Sequence, residues 1–588
     1  MKGASKNRKV KQIMGEEEKK NPSEPAAENG SPLAGGGKVA ERGTCAWPEL
    51  GGPLELEQPP QGAPEHEPGE VTGRQGPDST ASKPGQDATP GQEQQLPASK
   101  LSLNTESGLE NAPSDSAPGP ETEPGPEQQL PASKLGPNIE SGLENAPSDS
   151  APGQDEESGR VEPPVKRIRV KNLSPRQLLE LETCTRCGEC VQWCPVYAQD
   201  PKEDLTPRAK AKAFRKILRA QDGIVSMLIR PDSRLGRKLD LAGKQKSRIE
   251  RFTQGLYECS TCGQCHYVCP SFIDTVELWE AIRACMVSAG YGPLENHKAL
   301  TSSVKSYDNP WLQPRTSRDK WAKRAKKEKE IRKLPKSLPR EKAEVLYFVG
   351  CTASFDVNIR QVAVNTAKLL EACGVDFGIL GTQEKCCGSV LLRVGDREYE
   401  RLARENIDLF NSLGIQTLVT SCSGCYKTIS QDYPKVGKMN FEILHMVQFI
   451  ERLLEQGKIQ FKKEVPLKVT YHDPCHLGRA SGIYEAPRNI LRRVPGIEFI
   501  EIERHHENSR CCGAGGGLKA GFPEVQQKMS QQRVRDAVAT GATDFVTACP
   551  FCYQGLLVGI TAEQAPLRMR DMTELLCLSL GLSGEEPE

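Results

Sequence analysis

The sequence predicts three parts: a disordered N-terminal tail, an α-helical domain around two cysteine runs, and a duplicated α/β domain with one Cys-Cys-Gly motif in each copy. Three observations support this division. Residues 1–160 are rich in Pro, Gly, Ser, Glu and Gln. Two four-cysteine runs with the same spacing follow this tail. Beyond residue 344, short β-branched runs alternate with amphipathic helices, which is typical of α/β folds with largely parallel sheets.

The tail, residues 1–160, has too few apolar residues to offset the conformational entropy lost on folding. Residues 91–119 and 125–153 are near-copies at a period of 34. Because both copies contain several prolines and few apolar residues, we interpret them as an expanded disordered linker rather than as helical repeats. Residues 41–160 carry a net charge of −16, whereas residues 161–588 carry +13. A basic folded part suits an anionic substrate, an acidic partner or a membrane surface.

Cysteine usage indicates metal or redox chemistry. The chain has 22 cysteines, and 18 of them fall into four motifs. The N-terminal stretch MKGASKNRKVKQ lacks the apolar segment of a secretion signal, so we expect a cytoplasmic protein with reduced thiols rather than a disulfide scaffold. No apolar run reaches the roughly 20 residues that a membrane helix needs. We therefore expect peripheral attachment to the inner face of the membrane through a partner subunit.

The first folded domain is expected at residues 165–300. Ser174 and Pro175 predict a helix start with Ser174 as N-cap. Each cysteine run then reads Cys-x2-Cys-x2-Cys-x3-Cys-Pro, which disfavours zinc and is typical of a two-cluster ferredoxin-like domain. At this spacing the first three thiolates face one cubane cluster and the fourth ligates the other. The predicted cofactor-binding sets for two cubane [4Fe–4S] clusters are Cys184, Cys187, Cys190 and Cys269, and Cys259, Cys262, Cys265 and Cys194.

Residues 301–342 are predicted to form a basic linker. The stretch 315–340 holds twelve lysines and arginines against three acidic residues. We interpret it as a solvated helical connection between domains, and docking onto a partner or onto lipid head groups is the alternative. Binding to nucleic acid is not expected, because no recognised binding module accompanies the charge.

Two α/β lobes are predicted at residues 343–456 and 465–582, as an internal repeat offset by about 125 residues. Ligand sites of open parallel sheets lie beyond the carboxyl ends of the strands. We therefore expect each lobe to bring its cysteines together at one point. Four predicted strands are each followed closely by a cysteine: 345–349 by Cys351, 417–420 by Cys422, 469–472 by Cys475, and 544–547 by Cys549.

Each lobe carries five motif cysteines, two of them adjacent. Adjacent cysteines cannot both reach one corner of a cubane, although a more open metal cluster takes both. Structural disulfides and paired zinc sites are the alternatives, and zinc would leave the Cys-Cys pairs unexplained. The run Gly513–Gly517 matches a phosphate loop only weakly, because it follows a cysteine pair. The first set is Cys351, Cys386, Cys387, Cys422 and Cys425, and the second is Cys475, Cys511, Cys512, Cys549 and Cys552.

These motifs resemble the Cys-Cys-Gly domain of heterodisulfide reductase catalytic subunits and their relatives. Both lobes keep all five cysteines, and the two-cluster domain is similar to the partner subunit of that enzyme, so the chain resembles the fused form. The segments CTRCGECVQWCPVY, YFVGCTA, TYHDPCHLGR and RCCGAGGGLKAGFP are similar to the DsrK branch, a subunit of a membrane complex tied to dissimilatory sulfite reduction. The likeness covers about residues 165–580.

The resemblance implies a noncubane [4Fe–4S] cluster with a catalytic role at Cys475, Cys511, Cys512, Cys549 and Cys552, and a second one at the first five-cysteine set. It also implies that disulfides are cleaved or formed in one-electron steps. In the sulfite-linked branch, the expected substrate is a disulfide or trisulfide of a small thiol-carrier protein. The expected electron donor is a membrane subunit of the cytochrome b type or another carrier.

Two functions remain open at this point. The first is an enzyme of the disulfide reductase type. The second is a relay subunit between a flavoprotein dehydrogenase and quinone, similar to the iron–sulfur subunits of glycolate oxidase; the completeness of both five-cysteine motifs favours the enzyme. His472 and His476 flank Cys475, and His476 is the candidate proton donor to a leaving thiolate. The alternative for both histidines is hydrogen bonding within the cysteine loop.

Overall fold

The computed structural model describes residues 165–229, 231 and 233–583. The tail predicted at 1–160, including its repeat, lies outside the described residues. All described residues fall within one compact unit.

The helical domain that carries the first eight motif cysteines forms around a small apolar core. Ser174 caps its first helix through a capping box, as the sequence predicts. Phe214, Leu256 and Ile282 are fully buried where the three longest helices meet. The helices are α1 (Pro175–Thr183), α2 (Glu189–Gln192), α3 (Pro207–Asp222), α4 (Ile224–Leu228), α5 (Arg234–Lys238), α6 (Leu241–Tyr257), α7 (Gln264–Tyr267) and α8 (Thr275–Ala289).

The segment 301–342 differs from the solvated linker that we expected. It contains the end of α9 (Glu295–Tyr307), all of α10 (Lys320–Lys327) and the edge strand β1 (Lys336–Ser337). Trp321 and Ala325, one helical turn apart, are buried in the core of the first lobe. The basic residues occupy the other faces of this amphipathic helix, so counting charge concealed its apolar face.

The first lobe is a parallel five-stranded sheet in the order β1-β3-β2-β4-β5. Its remaining strands are β2 (Val345–Phe348), β3 (Phe377–Ile379), β4 (Thr417–Thr420) and β5 (Glu442–His445). Its helices are α11 (Cys351–Phe355), α12 (Arg360–Ala372), α13 (Ser389–Val394), α14 (Glu398–Ser412), α15 (Ser423–Lys427) and α16 (Met446–Glu455).

The second lobe repeats this plan with a parallel four-stranded sheet in the order β7-β6-β8-β9. Its strands are β6 (Lys468–His472), β7 (Glu498–Phe499), β8 (Asp544–Thr547) and β9 (Arg568–Asp571). Its helices are α17 (Glu485–Arg493), α18 (Leu518–Gly521), α19 (Pro523–Val538), α20 (Pro550–Glu563) and α21 (Met572–Ser579).

The two lobes share their apolar cores. Tyr347 and Val419 of the first sheet belong to one continuous cluster with Tyr471 and Val546 of the second. Another continuous cluster contains cysteines of both lobes, including Cys422 and Cys549. The lobes are therefore packed against each other, with their cysteines at the shared side. Among the described helices, none combines the length and the apolar character required to cross a bilayer.

Candidate functional site

The eight cysteines of the helical domain line two neighbouring cavities. Cys269, from the end of the second run, joins Cys184, Cys187 and Cys190 around the first cavity. Cys194, from the end of the first run, joins Cys259 and Cys262 around the second, and Cys265 lines both cavities. The fourth cysteine of each run therefore lies with the first three cysteines of the other run. Cys187 is exposed and Cys262 is buried, so the first group lies at the surface and the second lies deeper.

Burial controls the protonation of these thiols. It raises the pKa of Cys190 and of Cys194 to about 11. In the absence of metal both side chains are therefore thiols at neutral pH. Metal ligation requires thiolates, so cluster binding at these groups releases protons.

The five cysteines of the first lobe are all buried. Cys351 follows β2, and Cys422 and Cys425 lie on the loop and helix after β4. Hydrogen bonding from Cys386 and then from Cys425 lowers the pKa of Cys387 to about 5. Gly388 has a φ of +80°, and a Cβ on it would lie 2.9 Å from the Tyr399 ring. The glycine of the motif is therefore required for the turn that presents the cysteine pair.

The second lobe brings its five cysteines together in the same way. The sulfur atoms of Cys475 and Cys511 are 4.0 Å apart. Ligand atoms of His472, Cys512 and Cys552 all lie within 4.8 Å of one another. Hydrogen bonding with Cys511 and Cys552 holds the pKa of Cys512 well below its usual value. Cys512 therefore favours the thiolate form even without metal, whereas the pKa values of Cys475 and Cys552 are raised well above their usual value by hydrogen bonding with neighbouring cysteines and by burial.

Two pairs of neighbouring cysteines connect these groups in a series. The thiol of Cys511 lies beside Cys262 of the helical domain in one buried cluster, and this neighbour is the largest cause that lowers the pKa of Cys511. Cys549 lies beside Cys422 of the first lobe in one buried cluster, and this neighbour holds the pKa of Cys549 well below its usual value. In space, the exposed cysteine group of the helical domain comes first and the deeper group of that domain second. The cysteines of the second lobe follow, and those of the first lobe come last.

The glycine-rich run after Cys512 makes the contact between the helical domain and the second lobe. A Cβ on Gly516 would lie 2.5 Å from the Cys259 carbonyl oxygen. The Gly516 carbonyl accepts a hydrogen bond of 2.8 Å from the buried guanidinium of Arg283, which also donates to the Cys259 carbonyl. The run is therefore a site of close backbone approach between two cysteine loops, and this contact explains why it is rich in glycine.

The two histidines that flank Cys475 are held differently. Arg533 donates a 3.2 Å hydrogen bond to Nδ1 of His472, so Nε2 of that ring carries the proton. Burial lowers the pKa of His472 and of His476 to about 3. Both imidazoles are neutral in this environment, so each is better suited to donate a neutral hydrogen bond than to act as a cationic acid. The role of His476 as a proton donor stays a prediction.

The cysteine groups fit iron–sulfur clusters. Four groups offer convergent sulfur ligands, and the adjacent cysteines lie on turns that only glycine closes easily. Nε2 of His472 and Nε2 of His476 are buried without a hydrogen-bond partner within the described chain. A sulfide of a bound cluster, or a bound sulfur compound, would supply the acceptor that the His472 N–H group needs.

Comparison with known proteins identifies the same two modules. Residues 180–273 match a 4Fe-4S dicluster domain, and residues 345–430 and 469–556 each match a cysteine-rich domain called CCG. HdrD of Methanosarcina mazei, a component of dihydromethanophenazine:CoB–CoM heterodisulfide reductase, is 38% identical over 422 residues, which are 71% of this chain and 98% of the relative.

Two further relatives are more distant. EtfAB:quinone oxidoreductase of Syntrophomonas wolfei is 30% identical, across 69% of this chain and 59% of that protein. The probable iron-sulfur-binding oxidoreductase FadF of Bacillus subtilis is 28% identical, across 70% of this chain and 61% of that protein.

The dicluster domain and the two CCG domains define this chain as an iron–sulfur oxidoreductase that carries several [4Fe–4S] clusters. Within that class, the chain belongs to the HdrD family of heterodisulfide reductase components.

Sequence reasoning missed three buried side chains near the cysteines: Arg318, Glu384 and His445. Arg318 lies in the segment that we interpreted as a linker. Glu384 precedes the first cysteine pair by two residues and could have been noticed as an acidic residue beside a metal motif. His445 ends β5, a strand that we did not predict, and it contacts the backbone of Ser421 and Ala548 beside Cys422 and Cys549.

Proposed function

We propose that this protein reduces, or forms in the reverse direction, the disulfide or trisulfide bond of a thiol carrier, with electrons that pass through its cysteine groups in series. The observation that carries the proposal is that Cys262 and Cys511 share one buried cluster and that Cys422 and Cys549 share another. The first pair joins the helical domain to the second lobe, and the second pair joins the two lobes. The names of its HdrD relatives support a disulfide as the substrate.

The cubane-type groups would hold two [4Fe–4S] clusters, and the five-cysteine groups would hold one or two noncubane clusters. Bound clusters of this type supply electrons one at a time. Cleavage of an S–S bond consumes two electrons and two protons and yields two thiols. Two adjoining five-cysteine groups place two one-electron sites beside one bond, which fits this stoichiometry.

The side chains around the lobe junction serve orientation and proton transfer in this proposal. The His472 ring lies beside Cys512 and Cys552, and its Nε2–H group is available to donate a hydrogen bond to a sulfur atom. A Cβ on Gly424 would lie 3.8 Å from both the Cys422 sulfur and Nδ1 of His476. His476 of the second lobe therefore lies beside a cysteine of the first. We assign it the delivery of a proton to a thiolate produced at this junction.

The alternative function is a relay subunit without its own substrate site. The likeness to EtfAB:quinone oxidoreductase favours it, because that name describes electron transfer to quinone. In a pure relay, the two lobes pass electrons onward to a partner and do not bind a disulfide. Disulfide turnover by the purified chain separates the two functions.

Partner attachment is expected on the helical domain, where the exposed Cys187 marks the entry of electrons. Ile224, Met227 and Leu228 share one face of α4 and are 77%, 86% and 78% exposed. The stretch 207–251 around them holds 14 lysines and arginines against four acidic residues. An apolar face in a basic setting supports peripheral attachment to a membrane subunit, such as one of the cytochrome b type.

The first test is disulfide turnover by anaerobically prepared protein with a reduced viologen dye as donor. Cys511→Ser is expected to reduce turnover by on the order of 1000-fold, because it removes a ligand at the junction with Cys262. Both cubane signals in the electron paramagnetic resonance (EPR) spectrum are expected to remain. Cys373→Ser, which changes a half-buried cysteine outside the motifs, is the matched control and is expected to keep full turnover.

If the wild-type protein with full iron content turns over every tested disulfide only at the background rate, this result supports the relay function instead. Normal turnover by Cys511→Ser would show that the second lobe is not part of the substrate site.

A further inference from the structure

The first lobe contains a buried cation in direct contact with one of its cysteines. Arg318 is fully buried, and its Nη2 donates hydrogen bonds to the Cys351 sulfur at 3.2 Å and to Oε1 of Glu384 at 2.8 Å. Its Nε also donates to Glu384, at 3.1 Å. The guanidinium therefore joins a sulfur ligand and a carboxylate in one rigid fork.

The partners of Arg318 fix the position of the loop around Cys351. Glu384 accepts hydrogen bonds from the backbone N–H groups of Val349 and Gly350, at 3.0 and 2.9 Å. Nη1 of Arg318 donates to the Asp308 carbonyl at 3.4 Å, and the same carbonyl accepts from the Cys386 N–H at 2.8 Å. Arg318 is thus connected to the loops of two cysteines in the group.

The second lobe uses its buried arginine differently. Arg488 pairs with Asp473, which precedes Cys475 by two residues as Val349 precedes Cys351. The guanidinium of Arg488 donates its N–H groups to Asp473, Glu501 and the Tyr484 carbonyl. Both lobes thus place a buried arginine–carboxylate pair beside the first cysteine loop, and in the first lobe the arginine also reaches the sulfur.

We propose that Arg318 is a positioning residue that raises the reduction potential of the first-lobe cysteine group by donating a hydrogen bond to the Cys351 sulfur. An N–H donor stabilises the more negative, reduced state of a thiolate-ligated cluster more than its oxidised state. The first lobe is the last group in the series, so a raised potential there draws electrons away from the relay domain. The inference rests on the proposed function for its purpose, but the potential itself is measured without any disulfide.

The test is a redox titration of the full-length holoprotein followed by EPR. The first-lobe signal is identified as the one that disappears in Cys386→Ser. Arg318→Lys keeps the positive charge but not the fork, and the first-lobe midpoint is expected to shift to a more negative potential with unchanged iron content. Arg318→Met combined with Glu384→Gln removes both buried charges, and the same direction of shift is expected.

Arg488→Lys is the matched control, because it disturbs the corresponding buried pair in the second lobe. It is expected to leave the first-lobe midpoint unchanged. An unchanged first-lobe midpoint in both Arg318 variants, or loss of first-lobe iron in both, would overturn the proposal and leave Arg318 as a loop anchor. If the shift occurs but the wild type turns over no disulfide, the tuning role stands and the proposed function fails.

Discussion

The two lobes share a fold and a set of five cysteines but have different surroundings. Tyr347 of the first lobe corresponds to Tyr471 of the second, both buried on the central strand before a cysteine loop. In the next position the first lobe has Phe348 and the second has His472. Both lobes contact the helical domain, the second through its glycine-rich run and the first through the buried pair Arg393–Glu280. The first lobe is also covered by the segment 301–342. The two lobes therefore carry similar five-cysteine groups, and the neighbours of each group give it a different place in the series.

Disruption of the contact between the second lobe and the helical domain is expected to have the largest effect. Gly516 has a φ of +65° and its missing Cβ would meet the Cys259 carbonyl oxygen. Gly516→Ala is expected to lower the apparent free energy of unfolding by about 3 kcal/mol, from backbone strain and a backbone clash together. It is also expected to slow electron arrival in both lobes, because the loops of Cys259 and Cys511 separate.

The control for this substitution is Gly541→Ala, at a φ of +73° with no heavy atom within 4 Å of the added Cβ. It carries only the cost of the left-handed conformation, about 1 kcal/mol. Anaerobic urea unfolding compares the two variants. Equal midpoints would mean that the close approach at Gly516 contributes nothing to docking.

A smaller difference between the lobes concerns how buried groups make the folding stability depend on pH. The residue that ends the last strand of each sheet is His445 in the first lobe and Asp571 in the second, and both are buried. Burial lowers the pKa of His445 from 6.5 to about 4 and raises the pKa of Asp571 from 3.8 to about 7. Between these values the unfolded chain binds the histidine proton and the folded chain binds the aspartate proton. His445 therefore makes stability rise as pH increases from 4 to 6.5, and Asp571 makes it fall as pH increases from 3.8 to 7.

Stability of His445→Gln and Asp571→Asn between about pH 5.5 and 8 measures these contributions. Relative to wild type, His445→Gln is expected to gain stability toward the acid end, and Asp571→Asn toward the alkaline end, each by roughly 1–2 kcal/mol. Parallel pH curves for the two variants would show that these corresponding positions do not titrate in opposite directions.

Local pattern predicted most of the framework. The strands β4 and β8 have the predicted bounds, and the strands that precede Cys351 and Cys475 differ from the prediction by one residue. Ser174 caps α1 as expected. These features depend on short-range chemistry, such as capping, β-branched runs and the turn glycine of each cysteine pair, and this chemistry is readable from neighbouring residues.

What the sequence did not reveal depends on contacts between distant residues. The strands β5 and β9 begin with Glu442 and Arg568. Within β9, the buried Arg570 pairs with Asp544 of the neighbouring strand. Likewise, Arg318 contacts Glu384 across 66 positions of sequence, and no local pattern marks that pair. The contacts Cys262–Cys511 and Cys422–Cys549 arise the same way, so the order of the cysteine groups emerged only from the fold.

The central claim, that electrons reach the first lobe only through the second, is tested most directly by freeze-quench EPR of two ligand variants during reduction. Iron analysis first establishes that each variant loses about four of roughly sixteen iron atoms. With Cys511→Ser the cubane signals are expected to reduce at the wild-type rate, while the first-lobe signal stays oxidised. With Cys386→Ser the second-lobe signal is expected to reduce normally. Prompt reduction of the first lobe in Cys511→Ser would contradict the series and mean that the two lobes receive electrons independently.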